Sequence, residues 1–173
     1  GANSVPIQWD LEIQENLKHD KSLNNNDMSD RLLIDPEVNC MYVKHVGEFD
    51  IGDIGRSSAD RLRRPDHKSG MNFIHDFSAQ RIPPDLPFKT VAEESKRIVR
   101  VYNVKFGRCK GALVAGDAQS YAKLHQFVEA ARFSNNPVER KPFRDIEKAT
   151  DWIGLPAGYE IKYPALDYKR PSQ

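Results

Sequence analysis

Ala112-Leu113-Val114-Ala115 is an unbroken apolar run between Lys110 and the Gly116-Asp117 pair, and it restricts the fold more than any other stretch. It is too short for a helix and has no polar alternation, so it reads as a strand over Lys110–Ala115 buried on both faces. Strands of that kind lie inside parallel sheets covered by helices. Asp117 is placed to cap a following helix, which the stripe Tyr121, Leu124, Phe127, Val128 and Ala131 carries toward Phe133.

The rest of the chain repeats this alternation. Arg31–Asp35 and Val38–Val46 read as two strands joined at Asp35-Pro36-Glu37, forming a hairpin. Ile51, Ile54 and Leu62 mark a helix over Asp50–Arg64, which Gly52 and Gly55 weaken by about 1 kcal/mol each relative to alanine. Met71–Phe77 is a third strand. Pro83, Pro84 and Pro87 stiffen the loop before a helix over Phe88–Tyr102, whose face is Val91, Ser95, Ile98, Val99 and Tyr102. Val138–Phe143 is a fifth strand, and Asp145 caps a last helix that Gly154 and Pro156 end. The order β-β-α-β-α-β-α-β-α predicts an α/β domain: a mixed sheet with an opening hairpin, parallel over its later strands, with about four helices packed on it. Residues 1–29 read as an extension or linker, polar around Lys18–Asp27. Residues 30–155 form the domain, and 156–173 an extended tail in which Tyr159, Ile161, Tyr163 and Tyr168 alternate with Pro164 and Pro171.

At 173 residues the chain has one domain's length, and its 26 basic and 25 acidic side chains leave a net charge of +1. Such balance gives no general field for nucleic acid or an anionic membrane, so a binding role requires a local patch. No apolar run reaches the ~18 residues of a membrane span. The start lacks a basic-then-apolar signal pattern, so the cytoplasm is the expected compartment.

The landmarks in this order resemble the STAS-like (SpoIIAA-like) superfamily, named for sulfate transporters and anti-sigma-factor antagonists. They are Gly47-Glu48-Phe49, Phe73-Ile74-His75-Asp76-Phe77-Ser78, the run Ala112 to Asp117, and the segment Pro142-Phe143-Arg144-Asp145 leading into the last helix. The last resembles an ending common in bacterial members. The resemblance covers about 30–154 and implies the SpoIIAA-like fold and a regulatory role through protein contacts. It also departs from the family. Anti-sigma-factor antagonists carry a phosphorylated serine in an Asp-Ser-Ser-Gly-like motif after the third strand. Here that stretch is Ala79 to Pro87, without a serine; Ser78 stands too early.

No motif names a reaction. His75 and Asp76 adjoin on a strand and so point to opposite faces. His19, His45, His67, His75 and His125 lack metal-ligand spacing, and Cys40 and Cys109 stand far apart with nothing demanding a bridge. No metal or other cofactor is expected. The densest basic run supplies Arg61, Arg63, Arg64 and Lys68, read as a solvated helix end and alternatively as an anion patch. The Gly116-Asp117 turn could offer free N–H groups to a phosphate, but Asp117 itself fills that place as a cap. Tyr102, Tyr121, Phe127 and Trp152 are core aromatics by spacing, or the fringe of a ligand pocket between helices and sheet. The leading expectation is a non-catalytic binding or regulatory module, a homodimer, without nucleic acid or a membrane span. The alternatives are a carrier of a small apolar or lipid-like ligand and, more weakly, an enzyme using His75 or His125.

Overall fold

A computed structural model describes residues 14–15, 31–132 and 134–164. The hairpin strands are β1 (Arg31–Asp35) and β2 (Cys40–Lys44), paired antiparallel with Arg31 opposite Lys44. Asp35 Oδ1 accepts the Glu37 N–H at 3.0 Å, and Asn39 takes the left-handed φ of 50° that closes the turn. Helix α1 (Asp53–Arg63) leads to β3 (Asn72–Phe77), and α2 (Phe88–Ile98) to β4 (Cys109–Ala115). Helix α3 (Ala118–Ala130), β5 (Val138–Phe143) and α4 (Ile146–Ile153) complete the domain.

The strands lie in the order β1-β2-β3-β4-β5, and every pair after the hairpin is parallel. Right-handed crossovers that always advance in one direction place α1, α2 and α3 on the same face of the sheet. Met41, Val43, Phe73, Phe77 and Leu113 point into that layer, among Ile54, Val91, Ile98, Leu124 and Phe127. After β5 the chain turns to the opposite face. There α4 and residues 155–163 cover Cys40, Tyr42, Ile74, Ala112 and Val114. The tail is anchored by Tyr159, which stacks on Tyr42 at 5.8 Å and donates its hydroxyl to Asp35 Oδ2 at 2.5 Å. The α/β expectation and the double burial of β4 are therefore observed.

Strand β2 is shorter than the expected Val38–Val46, β3 and β4 begin within one residue of expectation, and three helices differ from the sequence reading. Helix α1 starts at Asp53 because Asp50 first forms a turn, its Oδ1 accepting from Gly52 N at 2.7 Å. The α2 helix stops being regular at Ile98 and passes through a π-turn, Val99–Asn103, before one last turn, Val104–Phe106. That turn directs both Tyr102 and Asn103 into the interior, where neither is exposed. Helix α3 ends at Ala130, and Phe133 lies outside the described residues. The caps agree with expectation. Asp117 accepts from Ser120 N at 2.8 Å, Asp145 accepts from Glu147 N at 2.7 Å, and Gly154 ends α4 at φ 91°. The expected extension over residues 1–29, apart from Gln14 and Glu15, and Tyr168 and Pro171 of the tail lie outside the described residues.

Candidate functional site

His75 and Asp76 do face opposite ways. Asp76 Oδ1 accepts the Ser78 N–H at 2.9 Å, while His75 enters the helix-side layer. Its partner there is His45, whose Nε2 lies 2.8 Å from His75 Nδ1. Parallel register makes this pairing, since Val43 stands opposite His75 and the chain continues two residues to His45. His45 stacks face to face on Phe77 at 4.1 Å. Burial first, then electrostatic repulsion from the neighbouring His45, Arg140 and Arg61 side chains, holds His75 well below its ordinary value of 6.5. His125 is exposed, beside Tyr121.

The four aromatics do not gather. Tyr102 and Phe127 are core residues of the helix-side layer, with Tyr121 half-buried against it. Trp152 lies on the other face of the sheet, against Phe143 at 5.6 Å. The expected single fringe is corrected: the last helix crosses to the far face and takes Trp152 with it. The two cysteines are buried free thiols on opposite faces.

The basic cluster is also divided. Arg63 pairs with Asp60 at 2.9 Å, Arg64 bonds both Asp66 oxygens at 3.0 Å, and Lys68 is exposed. Arg61 departs from both sequence readings, because it is 0% exposed. Ile54, Ser57, Ser58 and Arg61 form the inward stripe of α1, so the guanidinium enters the core. It lies 4.1 Å from the Phe106 ring centre and 5.0 Å from that of Phe73. Its Nη2 donates to Met71 O at 2.5 Å and its Nε to His67 Nδ1 at 3.2 Å. Accepting that bond requires a neutral ring at Nδ1, and burial with Arg61 beside it pushes His67 down to about 4.

A second guanidinium approaches the same ring. Phe73, Gly111 and Arg140 stand in register across β3, β4 and β5. A Cβ on Gly111 would come within 2.2 Å of the Phe73 ring, so only glycine leaves the ring room to lie over β4. Arg140 reaches the ring at 5.5 Å. Its Nη2 donates to Asn103 Oδ1 at 2.8 Å, and Asn103 Nδ2 donates to Asn136 Oδ1 at 2.7 Å. The π-turn of α2 is what delivers Asn103 to this network.

Neither guanidinium has a carboxylate partner among the described residues. The Cys109 thiol interacts with both, but burial pushes its pKa up, so it supplies no negative charge. Burial lowers both Arg61 and Arg140 to about 10, and Arg61 contributes to the lowering at Arg140. The Nη1 atoms of both are sealed from solvent with no acceptor.

Arg140 also forms part of the wall of a cleft of about 1050 Å³ at the amino ends of β4 and β5 and the end of α3. Arg108 and Arg132 contribute further positive charge, against Glu129 and Glu139; Lys110 also lines the cleft, but its ammonium is held by Trp152 O at 3.1 Å. Glu129 is committed to Arg132 at 3.2 Å. Open α/β sheets usually hold ligands at the carboxyl ends of their strands. Here loop bonds bridge that end: Gln80 Nε2 donates to Val46 O at 3.1 Å, and Ile82 N donates to Ser120 Oγ at 3.0 Å.

Sequence reasoning found Arg61 but misplaced it, and missed Arg140, His45, Asn103 and Asn136. Parity on β5 holds a signal for Arg140, which shares its face with Val138 and Pro142, both buried. No group of three or more histidine, cysteine, aspartate or glutamate side chains suited to a metal gathers among the described residues, and no helix there is long and apolar enough to cross a membrane. Comparison of the chain with family models, with curated proteins and with solved structures finds no match.

Proposed function

We propose that the chain is a non-catalytic STAS-like binding and regulatory module that acts through protein contacts, with the basic cleft as its contact surface. The observation that carries this is the position of the cleft. It opens beside β5, the last strand of the sheet, whose outer edge has no strand partner among the described residues. An unpaired edge beside a charged groove offers a partner main-chain hydrogen bonds together with charge complementarity.

The partner named first is a second copy of the chain. Light scattering on the full chain over a range of concentrations is expected to give a dimer mass. Arg108→Glu, which reverses a charge on the cleft, is expected to return the mass to that of a monomer. A monomer at every concentration for the unaltered chain would contradict self-association.

A further inference from the structure

We infer that the cleft contains an oxyanion site, in which a phosphate-type dianion supplies an acceptor to Arg140 and countercharge to Arg140 and Arg61 together. The inference rests on the reading of this cleft as the binding surface and names the chemistry bound there.

A buried guanidinium is costly unless it is paired and hydrogen-bonded. Arg140 and Arg61 both lie within 5.5 Å of the Phe73 ring centre, and each leaves Nη1 without an acceptor. The aromatic face offsets part of the cost, and one protein acceptor satisfies Nη2 of each. Neither contact supplies negative charge. Two uncompensated positive charges on one ring, one of them on a residue of the cleft wall, call for two negative charges. A planar guanidinium fork matches the oxygen spacing of phosphate.

Arg140 forms part of the cleft wall and is the anchoring residue; Arg61 is not part of that wall and acts through the field across the Phe73 ring. Asn103 is a positioning residue: its carbonyl holds Arg140 Nη2, and its own amide is fixed by Asn136. Asn136 also lines the cleft, as does Arg108 at the amino end of β4. A dianion there would meet the Arg140 side chain, the Asn136 amide and the exposed Arg108. The exposed run Arg63-Arg64 is a poorer site, since both arginines already hold aspartates.

The test is calorimetric titration of the full chain with inorganic phosphate at pH 7.5, with sodium chloride holding ionic strength constant. A parallel titration uses glycerol phosphate, which distinguishes free phosphate from a phosphomonoester carried by a larger molecule. Saturable binding is expected for at least one of them, and none for chloride. Arg140→Gln is expected to weaken the binding by about tenfold or more, the loss of a charge-assisted hydrogen bond. Should that variant fail to fold, Arg140→Lys keeps the charge, removes the fork and is expected to weaken binding similarly. Asn103→Ala should raise the dissociation constant while chloride still fails to bind. The inference is overturned if neither phosphate binds, or if both Arg140 variants bind as the parent does. A monomer that binds phosphate would keep this inference and refute self-association; a dimer indifferent to phosphate would do the reverse.

Discussion

Gly111→Ala is expected to destabilise the chain by about 3 kcal/mol, the upper range for a forced extra methyl in a packed core. The added Cβ would lie 2.2, 2.4 and 2.9 Å from three atoms of the Phe73 ring. The ring has nowhere to go: it is 1% exposed, between the guanidiniums of Arg61 and Arg140, with Phe106 at 6.0 Å. Displacing it also disturbs an aromatic face shared by both arginines. Urea denaturation should show a lower midpoint with an unchanged slope. Gly111→Ala combined with Phe73→Leu should be more stable than the sum of the single effects, because the smaller side chain relieves the clash. A Gly111→Ala chain within about 0.5 kcal/mol of the parent would contradict the register described for β3 and β4.

Mild acid is expected to destabilise the domain well before its carboxylates titrate. The folded chain holds His75 neutral, chiefly through burial, with the neighbouring His45, Arg140 and Arg61 side chains adding to the effect. Its pKa is depressed, so the unfolded chain takes up a proton below about 6.5 that the native chain refuses. The stability is therefore present above 6.5 and lost as pH falls, at up to about 1.4 kcal/mol per pH unit for one histidine. His67 adds to the same loss between 6.5 and about 4. Asp66 and Asp117, both held below their ordinary 3.8, lose their contribution only at lower pH and are silent in this window. Urea midpoints at pH 7.5, 6 and 5 should fall progressively. His75→Gln should be weaker at pH 7.5 and fall less steeply. Equal midpoints at pH 7.5 and 5 for the parent would contradict a neutral buried His75.

Much of the fold was legible because its signals are local. The run Ala112–Ala115 needs burial on both faces wherever it stands, and Asp117, Asp145 and Gly154 act within one turn of themselves. The π-turn at Val99–Asn103 has no such local mark, since the apolar periodicity of α2 runs into it unbroken. Arg61 was misplaced because its inward stripe contains Ser57 and Ser58, which disguise a buried face as a polar one. Their hydroxyls differ in nothing visible from those of a solvated face, although Ser57 Oγ bonds back to Asp53 O at 2.8 Å.

The candidate site was least legible because topology assembles it. His45 meets His75 only through the register of β2 and β3, and Arg140 meets Phe73 only across the gap that Gly111 leaves. Trp152 was grouped with Tyr102 and Phe127 by residue type. The passage of α4 to the other face separates them, a choice made by the whole sheet and not by the residues of α4.

The account turns on where the chain holds negative charge. Crystals of the full chain soaked in tungstate, a heavy mimic of phosphate, would report this directly through the anomalous signal of tungsten. The account predicts a peak in the cleft within hydrogen-bonding reach of the Arg140 guanidinium. A cleft without tungstate, with peaks only at the exposed cluster of Arg63, Arg64 and Lys68, would contradict it.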